Sequence, residues 1–165
     1  MKDDKGQISA EFLFLFGVMI LIVMLSIVFV AEEHELNTAM ASAKNGAIEG
    51  IATSSSGIYP KDTFKDYSAY KTSLLSPYSV EIINVSYTDL GYDQNYDKKR
   101  IQFKVYAKTS ERFGSDELVS IGDRINYNLR KSLAMSFNST ASTNKLYNPV
   151  FSNHYVFTTA NVKWI

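Results

Sequence analysis

Phe12 to Ala31 reads FLFLFGVMILIVMLSIVFVA, twenty residues without a charge. As a helix rising about 1.5 Å per residue, such a run spans about 30 Å, the thickness of a bilayer's hydrocarbon core. A helix buried in a soluble protein of this size normally keeps a polar face. Here only Gly17 and Ser26 interrupt the run, which therefore predicts a membrane span at about 12–31. A secretory signal peptide is the first rival, but its apolar region is usually about 7–15 residues long, with small residues at the cleavage site behind it. This run is longer, and Phe29-Val30-Ala31 followed by glutamates makes a poor cleavage site. A plain single-pass anchor is the second rival.

Lys2 and Lys5 precede the run, and after it no Lys or Arg occurs until Lys44, whereas Glu32, Glu33 and Glu35 follow at once. Positive residues favour the cytoplasmic side. The expected orientation is a short cytoplasmic N-terminus with everything after about residue 32 external.

Lys5-Gly6-Gln7-Ile8-Ser9-Ala10-Glu11-Phe12 stands directly before the run. A plain anchor has no need of a carboxylate abutting its hydrocarbon stretch, where an ionised group is costly. A helical filament subunit has a use for one. A cut before Gln7 creates an α-ammonium that a neighbouring copy's Glu11 can reach, and such a pair in an apolar core is strongly coupled.

Gln7-x-Ser9-x-Glu11-x-x-x-Leu15 resembles the class III signal peptide of archaeal type IV pilin-like proteins, best known in methanogens. The resemblance implies cleavage between Gly6 and Gln7 by a membrane-embedded prepilin peptidase, with the apolar segment kept on the mature protein. Lys5-Gly6 suits the basic-plus-small pair before that cut. It further implies a pilus assembly ATPase and a membrane platform protein as partners, beside copies of the chain or related pilins. The chain departs from the bacterial pattern, which has Phe or a similar residue first in the mature protein. It also lacks the Gly-Thr-rich start of archaellins, so a pilus fits better than a rotary filament.

Lys plus Arg and Asp plus Glu each total 17, a balance that argues against a nucleic-acid partner. The chain has no cysteine, which excludes disulfides, thiolate metal sites and Cys nucleophiles. Its 11 Tyr and 10 Phe can furnish a core without bridges, and only Phe12, Phe14, Phe16 and Phe29 of them lie before residue 59.

The expected organisation is a leader at 1–6, an N-terminal helix at 7–57 and an external α+β head at 58–165. Leu36, Met40, Ala43, Ala47 and Ile51, with Ala39 and Ile48 beside them, predict that the helix continues past the span with one face covered. Asn45-Gly46 is a possible early stop, since Gly favours C-caps. Thr53-Ser54-Ser55-Ser56-Gly57 and then Pro60 end the pattern. Val80–Tyr87 and Ile101–Lys108 read as strands, joined by a long polar connection from Thr88 to Lys99. In the first, Ile83, Val85 and Tyr87 are expected inward and Asn84 and Ser86 outward; in the second, Ile101, Phe103, Val105 and Ala107 alternate with polar residues. Ser115 as N-cap with Asp116 and Glu117 opens a helix whose stripe is Leu118, Ile121, Ile125, Leu129 and Leu133. Asn138–Asn144 reads as a loop. Two or three short strands within Leu146–Ile165 complete the head, with Trp164 expected in its core.

Asp93-Gln94-Asn95-Tyr96-Asp97 begins like a calcium loop, but Lys98 stands where the turn glycine belongs and Lys104 where the final glutamate belongs. A solvated hairpin tip is the better reading, and Lys98-Lys99-Arg100 reads as a solvated cluster. His34 among glutamates has no second histidine at helical spacing, so no metal site and no cofactor is expected. Neither a nucleophile elbow nor a Gly-rich phosphate loop occurs, and the expectation is a non-enzymatic protein. Asn84-Val85-Ser86 and Asn138-Ser139-Thr140 are candidate N-glycan acceptors if the head is external. The reading that gathers these signs is a precursor cleaved at Gly6–Gln7, resident in membrane lipid and then assembled into a surface filament through its helix, with Glu11 setting register and adhesion as its use. The alternative is a membrane-anchored surface protein whose head binds a ligand or scaffolds an envelope complex.

Overall fold

The computed structural model describes residues 4–52, 80–110, 112–139 and 149–165. The expected helix stop at 53–60 and most of the loop after Asn138 lie outside these residues. The chain divides into two compact units, Met1–Leu36 and Asn37–Ile165. Helix α1 runs from Asp4 to Ala52 and so contributes to both.

In the second unit, β1 (Val80–Asp93) and β2 (Lys98–Thr109) form an antiparallel hairpin. Helix α2 (Ser115–Ser136) follows, and then β3 (Val150–Phe151), β4 (Tyr155–Thr159) and β5 (Lys163–Trp164). The sheet order is β1-β2-β4-β3, with β5 beside β2 as well. β4 and β5 both run parallel to β2, at Lys99↔Tyr155 to Phe103↔Thr159 and again at Tyr106↔Lys163 and Ala107↔Trp164. Between them Ala160 N donates to Phe103 O at 2.8 Å, so β4 and β5 act as one interrupted strand. The architecture is α+β.

Ile101, Phe103, Val105, Ala107 and Phe157 are fully or almost fully buried on one sheet face. The clean alternation in β2 places them there, since successive strand side chains take opposite faces. α2 lies on this face. The Phe137 and Phe157 rings stack at 5.3 Å, and Arg130 Nη1 donates to Thr159 Oγ1. Trp164 is half-buried at the edge of this layer, with a side-chain carbon 4.0 Å from where a Cβ on Gly122 would stand.

The hairpin departs from the sequence reading in two places. The expected polar connection from Thr88 to Lys99 is mostly ladder: Asp89 pairs with Ile101, and past a register shift Tyr92 and Asp93 pair with Lys99 and Lys98. Backbone pairing needs no apolar side chains, so a polar sequence conceals it. The turn shrinks to 94–97, where Asp97 adopts φ 55 and Asn95 N donates to Asp93 Oδ1 at 3.0 Å. The second departure is Ile83, which a register shift between Ile82 and Asn84 removes from the pairing and leaves 50% exposed. Val85 alone of the expected inward trio is fully buried, at 4%. Tyr87 is 42% exposed, although its ring meets Phe103 edge-on at 6.4 Å.

α2 is capped by Gly114 rather than Ser115. Glu117 Oε2 accepts from Gly114 N at 2.8 Å, half of a capping box. Ile121, Ile125, Leu129 and Leu133 are buried as expected, with Leu118 half-buried. Gly122, Arg124, Asn126, Asn128 and Arg130 are buried too: Gly122, Asn126 and Arg130 meet Val162, Ala160 and Thr159, and Arg124 and Asn128 meet α1.

That contact is made by small residues. α1 buries Ala39, Ser42, Ala43, Gly46, Ala47 and Gly50, while Ile48 faces out at 54% exposure. Ser42 Oγ lies 2.6 Å from Ser136 Oγ. A Cβ on Gly46 would stand 2.6 Å from Asn128 O and 2.7 Å from Leu129 Cα, and one on Gly50 would stand 2.9 Å from Ile125 Cα. The partners run backward along α2 as α1 advances, so the helices pack antiparallel. Gly46 is thus a crossing point rather than a C-cap: it lets two backbones approach where any side chain would hold them apart.

Candidate functional site

The processing motif falls on the first turns of α1. The helix starts at Asp4, so the Gly6–Gln7 bond is helical and a peptidase that needs an extended substrate must unwind it. Gly6 eases this, since glycine weakens a helix by about 1 kcal/mol relative to alanine. Glu11 and Leu15 stand four residues apart and share one helix face, whereas Ser9 is turned away from it, and Gln7 comes one turn before Glu11 in the chain. A cut before Gln7 would therefore set the new α-ammonium one turn from Glu11 of the same chain, besides any neighbour's.

From Phe12 to Val30 nothing is covered. Phe12 to Val30 expose their large apolar side chains by 41–76%, on every side of the helix. Phe12 and Phe16 stack on each other at 6.4 Å. Ser26, the one hydroxyl in the run, donates to Ile22 O at 2.8 Å, so its polar group is satisfied by the helix itself. An apolar medium can hold such a surface, and water alone cannot. By length and composition this helix is able to cross a membrane.

The two glycan acceptor sites lie on separate elements of the head. Asn84 is exposed on the sheet face opposite α2, paired across the ladder with Tyr106. Asn138 is exposed and left-handed, at φ 46. Ser139 N donates to Ala134 O at 2.9 Å and Asn138 N to Met135 O at 3.4 Å, the Schellman pattern that closes a helix C-terminus. Asn138 therefore caps α2 where the expected loop begins, a role Asn fills because it tolerates left-handed backbone.

The acidic hairpin tip is spent on its own turn. Asp93 serves Asn95 N and pairs with Arg100 at 3.6 Å, while Lys98 Nζ donates to Asn153 O at 2.6 Å. On α2, burial pushes the Asp123 carboxyl up from its ordinary range, and the Arg130 guanidinium pulls it the other way.

Two features escaped the sequence reading. The Ser42, Gly46, Gly50 spacing was visible, but small residues do not register in a search for hydrophobic periodicity. The outer sheet face was visible as well: Lys98, Arg100, Lys104 and Lys108 occupy alternate positions of β2, which a strand sends to one side.

Among known families, residues 5–30 match the class III signal peptide family. The match covers the Gly6–Gln7 bond, the whole motif and nearly all of the apolar run. Neither curated proteins nor solved structures yield a match to the chain. The signal peptide and the apolar helix behind it fit a membrane-anchored, type IV pilin-like precursor.

Proposed function

We propose that this chain is the precursor of a structural subunit of a type IV pilus-like surface filament of the archaeal kind. One observation carries the reading: a helix exposed and apolar on all sides from Phe12 to Val30 follows directly on a class III signal peptide. Such a helix suits lipid, and it equally suits a bundle of identical helices. A prepilin peptidase cuts between Gly6 and Gln7. The N-terminus lies in the cytoplasm and the head outside. An assembly ATPase and a platform protein then draw the helix from lipid into a filament core, where Glu11 sets register. The head serves adhesion, carries glycans at Asn138 and Asn84, and performs no catalysis.

N-terminal sequencing of the mature protein from membranes tests this. A chain starting at Gln7 is the expected result, and one starting at Met1 returns the chain to a plain single-pass anchor.

A further inference from the structure

Asn84-Val85-Ser86 and Asn138-Ser139-Thr140 carry the same acceptor chemistry, but the fold holds their backbones unequally. Along β1, Asn84 and Ser86 take one side of the strand and Val85 the other, where it enters the core at 4% exposure. All three residues are paired with β2, at Asn84↔Tyr106, Val85↔Val105 and Ser86↔Lys104. The ladder runs on past them to Val80↔Thr109 at one end and Asp93↔Lys98 at the other. Val105 is fully buried, and the far side of β2 is held by β4 and β5. Lifting this tripeptide out of the ladder therefore opens the middle of the sheet and draws Val85 from the core.

The backbone at Asn138 is tied down only by the end of a helix, through Asn138 N to Met135 O at 3.4 Å and Ser139 N to Ala134 O at 2.9 Å. Helix termini open at little cost, whereas central strands open only near the cost of unfolding the whole. That difference matters to glycan transfer. In it the Asn amide nitrogen bonds to the anomeric carbon of a lipid-phosphate-linked glycan, and the bond from that carbon to the phosphate oxygen breaks. The lipid phosphate leaves with the electron pair, and the amide gives up one proton. The transferring enzyme must hold the Asn, the hydroxyl two residues on and the backbone between them. Asn84 has an exposed side chain, but its backbone is closed to such a grip.

We propose that Asn84 accepts a glycan only before β1 and β2 pair, whereas Asn138 stays an acceptor after the head has folded. The inference rests on the glycan reading above and adds an order of events to it. At Asn84 modification competes with folding; at Asn138 it does not. Occupancy of Asn84 then records how long the hairpin stays open on the outer side of the membrane.

The test makes the full-length chain by cell-free synthesis into membrane vesicles that hold a single-subunit oligosaccharyltransferase. Its lipid-linked glycan donor is supplied either throughout synthesis or only after folding, by fusion with donor-bearing vesicles. Peptide mass spectrometry reads the occupancy of each asparagine. With early donor both sites should be modified; with late donor Asn138 should hold its occupancy while Asn84 falls several-fold. Ile101→Ala, which empties a buried position of β2, should lower the unfolding midpoint and restore late modification at Asn84 without changing Asn138. Equal occupancy of Asn84 under both schedules, Asn84 silent under both while Asn138 is modified, or a late loss at Asn138 would each overturn the order. So would an Ile101→Ala chain of lowered midpoint that gains nothing at Asn84. No glycan at either site under either schedule would withdraw the acceptor reading itself, and the order with it.

Discussion

Between Phe12 and Val30, α1 exposes phenylalanines, leucines, isoleucines, valines and methionines; between Ala39 and Gly50 it buries alanines, glycines and a serine. One helix thus inverts the usual rule that large apolar residues go inside. The inversion separates two kinds of stability. The first half is written for a surrounding medium, and any apolar medium of sufficient thickness satisfies it. The second is written for one partner at one distance, which is why a 2.6 Å clearance at Gly46 matters there and shape outranks hydrophobicity.

The largest effect is expected in the first half. Under the proposed function, Glu11→Ala is expressed, inserted and cleaved but missing from sheared surface filaments, and Glu11→Gln, which keeps shape without charge, fares nearly as badly. Filament yield from both variants equal to wild type would remove Glu11 from assembly. Next comes the second half: Gly46→Val forces a branched side chain against the backbone of α2 and should cost about 3 kcal/mol, the upper end for overpacking. Chemical denaturation of the detergent-solubilised protein checks this, and an unchanged midpoint would mean that α1 and α2 do not touch at that point.

A smaller effect belongs to α2, which the close contact helps to bury. Because the folded Asp123 carboxyl is pushed above its unfolded value, the folded state binds its proton more tightly. That contribution to stability is present in acid and fades as pH rises through the raised value. Asp123→Asn should therefore raise the melting temperature at neutral pH, and the gain should vanish below the ordinary carboxylate range. Thermal melts across that range decide the sign. The smallest effect returns to the first half, where nothing lies within 4 Å of a Cβ on Gly17. Gly17→Ala should leave the unfolding midpoint of the head unchanged, in direct contrast to Gly46.

Most of what a local pattern can encode was legible in the sequence. The apolar run, the core face of β2 and the stripe of α2 follow from spacing, and the motif from Gln7 to Leu15 from its resemblance to a known signal peptide. What was hidden depends on partners distant in sequence. β4 and β5 gave no sign that they would run parallel to β2, since strand direction is a property of the pair. A single bulged residue at Ile83 reversed an alternation that looked regular. The burial of Arg124 and Asn128 on α2 was not foreseen, because Gly46 and Gly50, which meet that face, carry no hydrophobic signal. At the candidate site the helical state of the Gly6–Gln7 bond and the capping role of Asn138 were not legible, because both are set by backbone conformation.

β2 has β1 on one flank, but its other flank is filled by residues 155–165, through pairings such as Ile101↔Phe157 and Ala107↔Trp164. Translation at about 5–20 residues per second completes the apolar segment on the order of ten seconds before those residues exist. Insertion can be decided in that interval, because a membrane span needs no tertiary contact. The head cannot close in it, since its central strand still lacks a neighbour. Synthesis therefore imposes a timetable in which the molecule is tethered first and folded afterwards, with one open strand edge held beside the membrane until the final pairings arrive.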